Sequence, residues 1–197
     1  MSNLIKKRVK EAKVEIVLEV VSGYFDRVGF SKPTMSDIAK EVGISVGALY
    51  KLFASKDELF FAYIGYQIEK FHKELVVATA KKEPQEKLEI FVEMKFSTFV
   101  SKRKAIEDPI LGDPLFFVKM NAQKVNPSKP IFEFLANEFE KLSLKQSSKE
   151  SDFNKVAYLF NSYTMGYIEH WLNFGGELKS DSKQVVEMFL NGLLSNS

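Results

Sequence analysis

The run Thr34-Met35-Ser36-Asp37-Ile38-Ala39-Lys40-Glu41-Val42-Gly43-Ile44-Ser45-Val46-Gly47-Ala48-Leu49-Tyr50-Lys51-Leu52-Phe53-Ala54-Ser55-Lys56-Asp57-Glu58-Leu59 decides the fold. Thr34 and Asp37 have the spacing of a capping box, with Asp in place of the usual Glu. Behind that cap, Ile38, Ala39 and Val42 give a short helix its inner face. Gly43 ends the helix, Ile44 plugs the gap, and Ser45 caps a further helix from Val46 to about Phe53. Leu49 and Phe53, four apart, form its inner face. Ser55 with Glu58 then opens the next helix in the same way. Two short helices joined by Gly43-Ile44-Ser45 make a helix-turn-helix. In such a unit the second helix lies across the first, and its outer side fits a DNA major groove about 12 Å wide.

Helical periodicity continues on both sides. From Val9 to Val28, the positions Ile16, Val17, Val20, Val21, Tyr24, Phe25 and Val28 predict one apolar helix face, stopped by Gly29 with Phe30 folded back on the end. Downstream, the pattern predicts helices from Lys56 to about Lys82 and from Gln85 to about Arg103. Pro109, Pro114, Pro127 and Pro130 restrict the middle of the chain to short helices, around Leu115 to Lys124 and Ile131 to Leu144. A polar loop, Lys145 to Ser151, precedes a long helix from Asp152 to Phe174. Gly175-Gly176 stops it, and Asp181 with Gln184 caps a last helix to about Leu194. No period-two strand pattern stands out, so the fold class is all-α.

Composition narrows the chemistry. Of 197 residues, 45% are hydrophobic and 27% charged, the balance of a folded globular chain rather than a disordered or fibrous one. Cysteine is absent and there are two histidines, which argues against disulfides, thiolate chemistry and multi-histidine metal centres. Residues 1–57 hold ten Lys or Arg against seven Asp or Glu, whereas the remainder is nearly neutral. Only Phe25, Phe30 and Phe53 of the 18 phenylalanines lie in that basic segment. A basic unit at residues 1–55, suited to nucleic acid, is thus expected before a larger aromatic one at 56–197. The N-terminal Lys6, Lys7, Arg8, Lys10 and Lys13 look like a charged leader, but Glu15 and Glu19 interrupt the apolar stretch that follows. With no run long enough for a membrane span, a cytoplasmic protein without a membrane partner is expected.

The quoted run closely resembles the DNA-binding signature of the TetR family of transcriptional regulators. The match includes Gly43-Ile44-Ser45-x-Gly47-x-Leu49-Tyr50-x-x-Phe53 and the following Ser55-Lys56-x-Glu58-Leu59, in order and without gaps. With the first helix it covers about the first quarter of the chain. The remaining helices fit the family's all-helical regulatory domain in length and number. The resemblance implies a homodimeric repressor, released from a palindromic operator when a small ligand enters the second domain. A DNA-binding regulator controlled by a protein partner is the alternative.

Residue roles follow from position. Tyr50 lies opposite Leu49 and Phe53, so its hydroxyl either reaches a DNA phosphate or packs on its own domain. Lys56, at a positive helix end, either neutralises a phosphate or is solvated. Thr34 caps its helix and can also bind phosphate. Ser45, Val46, Gly47, Ala48 and Lys51 complete the expected DNA-facing set. Family members often carry Lys and Thr where this chain has Val46 and Ala48, so few base-directed hydrogen bonds are expected and more reliance on backbone and shape. Val46 and Ala48 can touch thymine methyls, and Gly47 lets the backbone approach. The arm Lys6-Lys7-Arg8 either follows the DNA or frays in solvent.

The second domain is expected to take a small apolar or aromatic effector. Phe91, Phe99, Phe116, Phe117, Met120, Tyr163 and Tyr167 are candidate lining residues, with His170 as a candidate polar end or an ordinary structural histidine. The last two helices are the expected dimer interface, a four-helix bundle in which Gly166 permits close approach. Glu69-x-x-His72 has the spacing of a di-iron ligand pair, but the motif has no second copy. No catalytic residue, metal or cofactor is expected.

Overall fold

A computed structural model describes residues 3–103, 126–146, 152–178 and 181–194. Among these, eight helices and no strand form: α1 (Asn3–Val28), α2 (Met35–Val42), α3 (Val46–Leu52), α4 (Lys56–Ala78), α5 (Pro84–Ser101), α6 (Lys129–Gln146), α7 (Phe153–Phe174) and α8 (Ser182–Leu194). The helix expected at Leu115 to Lys124 lies outside the described residues, as do Phe116, Phe117 and Met120. No helix among the described residues is long and apolar enough to cross a membrane.

The chain divides into two compact units, the first running through Glu69 and including Lys102 and Arg103, the second holding the rest of α4 and α5 with α6, α7 and α8. The sequence suggested a boundary at 55/56. Packing carries the first unit further, because Leu59, Phe60 and Tyr63 of α4 are buried in the same core as α1, α2 and α3. Phe25 is central to that core: Phe30 and Tyr63 both meet its ring edge-on at 5.2 Å. Such edge-to-face pairs add about 0.5–1.5 kcal/mol each beyond simple burial.

Helix α1 departs from expectation on its inner face. Val17, Leu18, Val21 and Phe25 point inward, while Ile16 and Val20 are 59% and 37% exposed. At 100° per residue the latter two fall on the side opposite the core, in line with the exposed Ile5 and Val9. The helix therefore carries two apolar stripes, and periodicity alone merged them. It also starts six residues earlier than the apolar pattern predicts, and residues 3–13 are all exposed.

Caps fix the short helices. The Thr34 hydroxyl accepts the Asp37 N–H at 3.2 Å, and the Asp37 carboxylate accepts the Thr34 N–H at 2.9 Å. Gly43 ends α2 at φ 76°, a left-handed conformation. Its N–H donates to the Lys40 carbonyl, and Ile44 N–H to the Ala39 carbonyl, the paired bonds of a Schellman turn. Ser45 Oγ then accepts the Ala48 N–H at 3.2 Å and starts α3. At α4, Ser55 Oγ accepts the Glu58 N–H, while the Glu58 carboxylate accepts from Ala54 rather than from Ser55.

In the second unit α5 packs on α6, α7 and α8, and α6 on α7. Phe160, fully buried on α7, meets Phe91 of α5 at 6.0 Å, Phe139 of α6 at 5.3 Å and Phe189 of α8 at 4.9 Å. One ring thus ties four helices together.

Because an L side chain at a left-handed position costs about 1–2 kcal/mol, Gly43→Ala is expected to destabilise the first unit by about that amount. Thr34→Ala removes the cap and costs about 1 kcal/mol. Urea denaturation of the full chain followed by circular dichroism measures both.

Candidate nucleic-acid interface and effector site

Helix α3 is held by its inner side and bare on its outer side. Leu49 is fully buried, Phe53 nearly so, and Ala48 is half-buried. Ser45, Val46, Gly47, Tyr50 and Lys51 are exposed. At 50% exposure, Tyr50 is not a core tyrosine, and its hydroxyl end is open to a partner. A Cβ built on Gly47 meets nothing within 4 Å. The fold therefore has no steric need for glycine there, and a mid-helix glycine costs about 0.5–1 kcal/mol relative to alanine.

Two of the expected phosphate contacts are already engaged inside the chain. The Thr34 hydroxyl donates to the Asp37 carboxylate at 2.6 Å while accepting from the Asp37 N–H. These contacts hold the Asp37 carboxyl below the usual carboxylate range. Thr34 thus has a cap to maintain. Lys56 Nζ donates to the Ser31 carbonyl at 2.8 Å and lies 4.6 Å from the Phe30 ring centre. It ties the α1–α2 loop to the start of α4.

The second unit separates the expected effector residues. Phe91 is buried and Phe99 half-buried on α5. Tyr163 and Tyr167 are half-buried on α7, with their hydroxyls hydrogen-bonded at 3.0 Å. Burial and that bond raise the Tyr163 phenol to about 12. His170 of α7 is exposed, its ring 5.0 Å from the exposed Phe174. It is exposed although its spacing from Tyr163 and Tyr167 puts it on the same face of α7.

Sequence reasoning missed Lys95. Only 8% exposed, it sits on α5 one turn from Phe91 and one from Phe99. Its Nζ donates to the Asn161 carbonyl at 3.0 Å, Asn161 Oδ1 at 2.9 Å and Thr164 Oγ1 at 2.8 Å. No carboxylate among the described residues pairs with it, and burial pushes its pKa down to about 7. The available signal was a lysine spaced four residues from phenylalanines on both sides. Glu138 is the second buried charge: Lys141 at 2.8 Å and Lys87 at 3.3 Å pair with one oxygen, and the other has no hydrogen-bond partner among the described residues.

Comparison with known proteins bears first on the helix-turn-helix. Residues 23–63 match the family model for bacterial regulatory proteins of the tetR family. That segment carries the family's DNA-binding signature. Over 195 residues it is 27% identical to the HTH-type transcriptional regulator YerO of Bacillus subtilis, covering 92% of this chain and 63% of that protein. Over 116 residues it is 33% identical to the nucleoid occlusion factor SlmA of Glaesserella parasuis, covering 57% of this chain and 55% of that one. The chain thus spans less than two thirds of the length of either relative. The fatty acid degradation regulator FadR of Bacillus halodurans shares the fold at a TM-score of 0.72, with 19% identity over 92% of this chain and 96% of that one. FadR of Bacillus subtilis, solved with stearoyl-CoA, does so at 0.67, with 17% identity over 92% and 98%. The matched family model is one of regulatory proteins, and the fold is shared with solved regulators.

The depressed Lys95 pKa makes stability of the chain depend on pH. Below about pH 7 the folded chain carries a buried charge that the unfolded chain keeps in water. Between there and the ordinary value of 10.5 the unfolded chain holds a proton that the folded one has released, so stability rises with pH. Lys95→Met is expected to be more stable than the native chain at about pH 6, by more than about 1 kcal/mol, with the gap closing towards about pH 9. Denaturant titrations at the two pH values read this directly.

Proposed function

We propose that the protein is a homodimeric transcriptional repressor that binds a palindromic operator through α3 and leaves it when a small apolar or aromatic effector enters the second unit. The observation that carries the DNA-binding reading is the outer side of α3. Val46, Gly47, Tyr50 and Lys51 are exposed there on a helix whose orientation is set by the Gly43 turn and the Ser45 cap. Tyr50 and Lys51 are the phosphate-directed groups, joined by Thr34 and Lys56. Ser45 stands at the leading end of α3, and Val46, Gly47 and Ala48 present methyl groups and bare backbone to the groove. Affinity then comes chiefly from phosphates, and selectivity from methyl contacts and DNA shape.

Dimerisation through α7 and α8 is supported by what those helices leave uncovered. Leu159 and Met188 are 50% and 56% exposed, and a Cβ on Gly166 meets nothing within 4 Å. A glycine exposed in mid-helix with no neighbour at its Cβ position among the described residues suits a second helix approaching closely. Two copies joined there would present their α3 helices to half-sites one DNA turn, roughly 34–36 Å, apart. An effector that changes this spacing lowers DNA affinity by favouring the other geometry. Phe91, Phe99, Tyr163 and Tyr167 are the described residues assigned to the effector. The complex of FadR with stearoyl-CoA supports an apolar ligand on this fold. Function at DNA assigns the protein to the cytoplasm.

Two substitutions test the reading. Ala48→Asp places a carboxylate near the N-terminus of α3, which favours the helix itself, but opposes phosphate. It is expected to lower affinity for a mixed-sequence duplex at least about tenfold in fluorescence anisotropy; unchanged affinity contradicts the placement of α3. Gly166→Leu is expected to keep the helical circular dichroism signal and convert the dimer to monomer in sedimentation. A dimer that persists places the interface elsewhere.

A further inference from the structure

A buried ammonium without a counter-charge is costly. Neutral oxygens offset only part of the hydration it loses. Lys95 is in this position, with Asn161 and Thr164 as its partners and the Phe91 ring centre 5.7 Å from Nζ. A methionine or leucine would fill the same space at lower cost, so folding of the second unit does not call for a cation there. Binding an anion would.

We propose that Lys95 anchors the carboxylate of an apolar organic acid, bound at the seam between α5 and α7. The inference rests on the effector reading above and specifies its chemistry. The seam is built to release one N–H. Asn161 supplies two of the three acceptors, one of them a side-chain oxygen on a half-buried residue. Rotation of that amide frees a donor without disturbing α7, and the displaced Oδ1 turns to water. Thr164 remains satisfied, since its hydroxyl has the Phe160 carbonyl at 3.1 Å and the Asn161 carbonyl at 3.0 Å as alternative acceptors. An incoming carboxylate replaces a neutral acceptor with an anionic one, and charge-assisted bonds of this kind are about twice as strong. Phe99, one turn along α5, and Tyr167, which packs on Phe96 at 6.0 Å, give the apolar body its neighbours.

The test uses matched probes on the full chain: dodecanoate against dodecan-1-ol, and 1-pyrenebutyrate against 1-pyrenebutanol, with binding followed by calorimetry and fluorescence. For the pair that fits, the native protein is expected to bind the acid at least about tenfold more tightly than the alcohol. In Lys95→Met and Lys95→Gln the two should come within about twofold, with alcohol affinity unchanged. The second variant keeps a polar group at the seam should the first perturb packing. Equal binding of acid and alcohol by the native protein, or an acid preference that survives both variants, overturns the anchor while leaving an apolar effector in place. No binding of any probe overturns the anchor and the effector reading together.

Discussion

The left-handed turn at Gly43 is the constraint on which the rest depends. At φ 76° it reverses the chain between α2 and α3, and its two backbone bonds to Lys40 and Ala39 leave little freedom in the angle. Ser45 then starts α3 at once, and Leu49 locks that helix against the core formed by α1 and α4. With its inner side fixed in this way, α3 presents Val46, Gly47, Tyr50 and Lys51 as a rigid set. A rigid set needs no ordering when it meets DNA, which matters for a helix with few hydrogen-bonding side chains.

What was legible in the sequence was its punctuation. Thr34, Gly43, Ser45 and Ser55 each speak through a local hydrogen bond or a single backbone angle, so their meaning does not depend on distant residues. The inner face of α1 was less legible, because Ile16 and Val20 satisfy the same periodicity as Val17 and Val21. Only the position of α2 and α4 decides which stripe faces inward. Lys95 was invisible for a related reason. A lysine on an amphipathic helix reads as solvated, and its burial depends on Asn161 and Thr164 arriving from 66 and 69 residues away. His170, a candidate polar end for the effector, is exposed on α7, which its neighbours in sequence did not announce.

The two units differ in how they use polar groups. In the first, the capping hydroxyls and carboxylates sit at the surface and shape the backbone. In the second, Lys95 and Glu138 are buried charges. Such groups add little net stability. The ring of Phe160 holds α5, α6, α7 and α8 together as one body.

The most direct test of the account is selection of fragments of the source genome on the purified protein, followed by sequencing, with Ala48→Asp processed in parallel. The account predicts palindromic sites enriched by the native chain and lost in the variant, with half-sites centred about one helical turn apart. Sequences recovered equally by both proteins, or none enriched even after unfolding and refolding to remove bound effector, would contradict it.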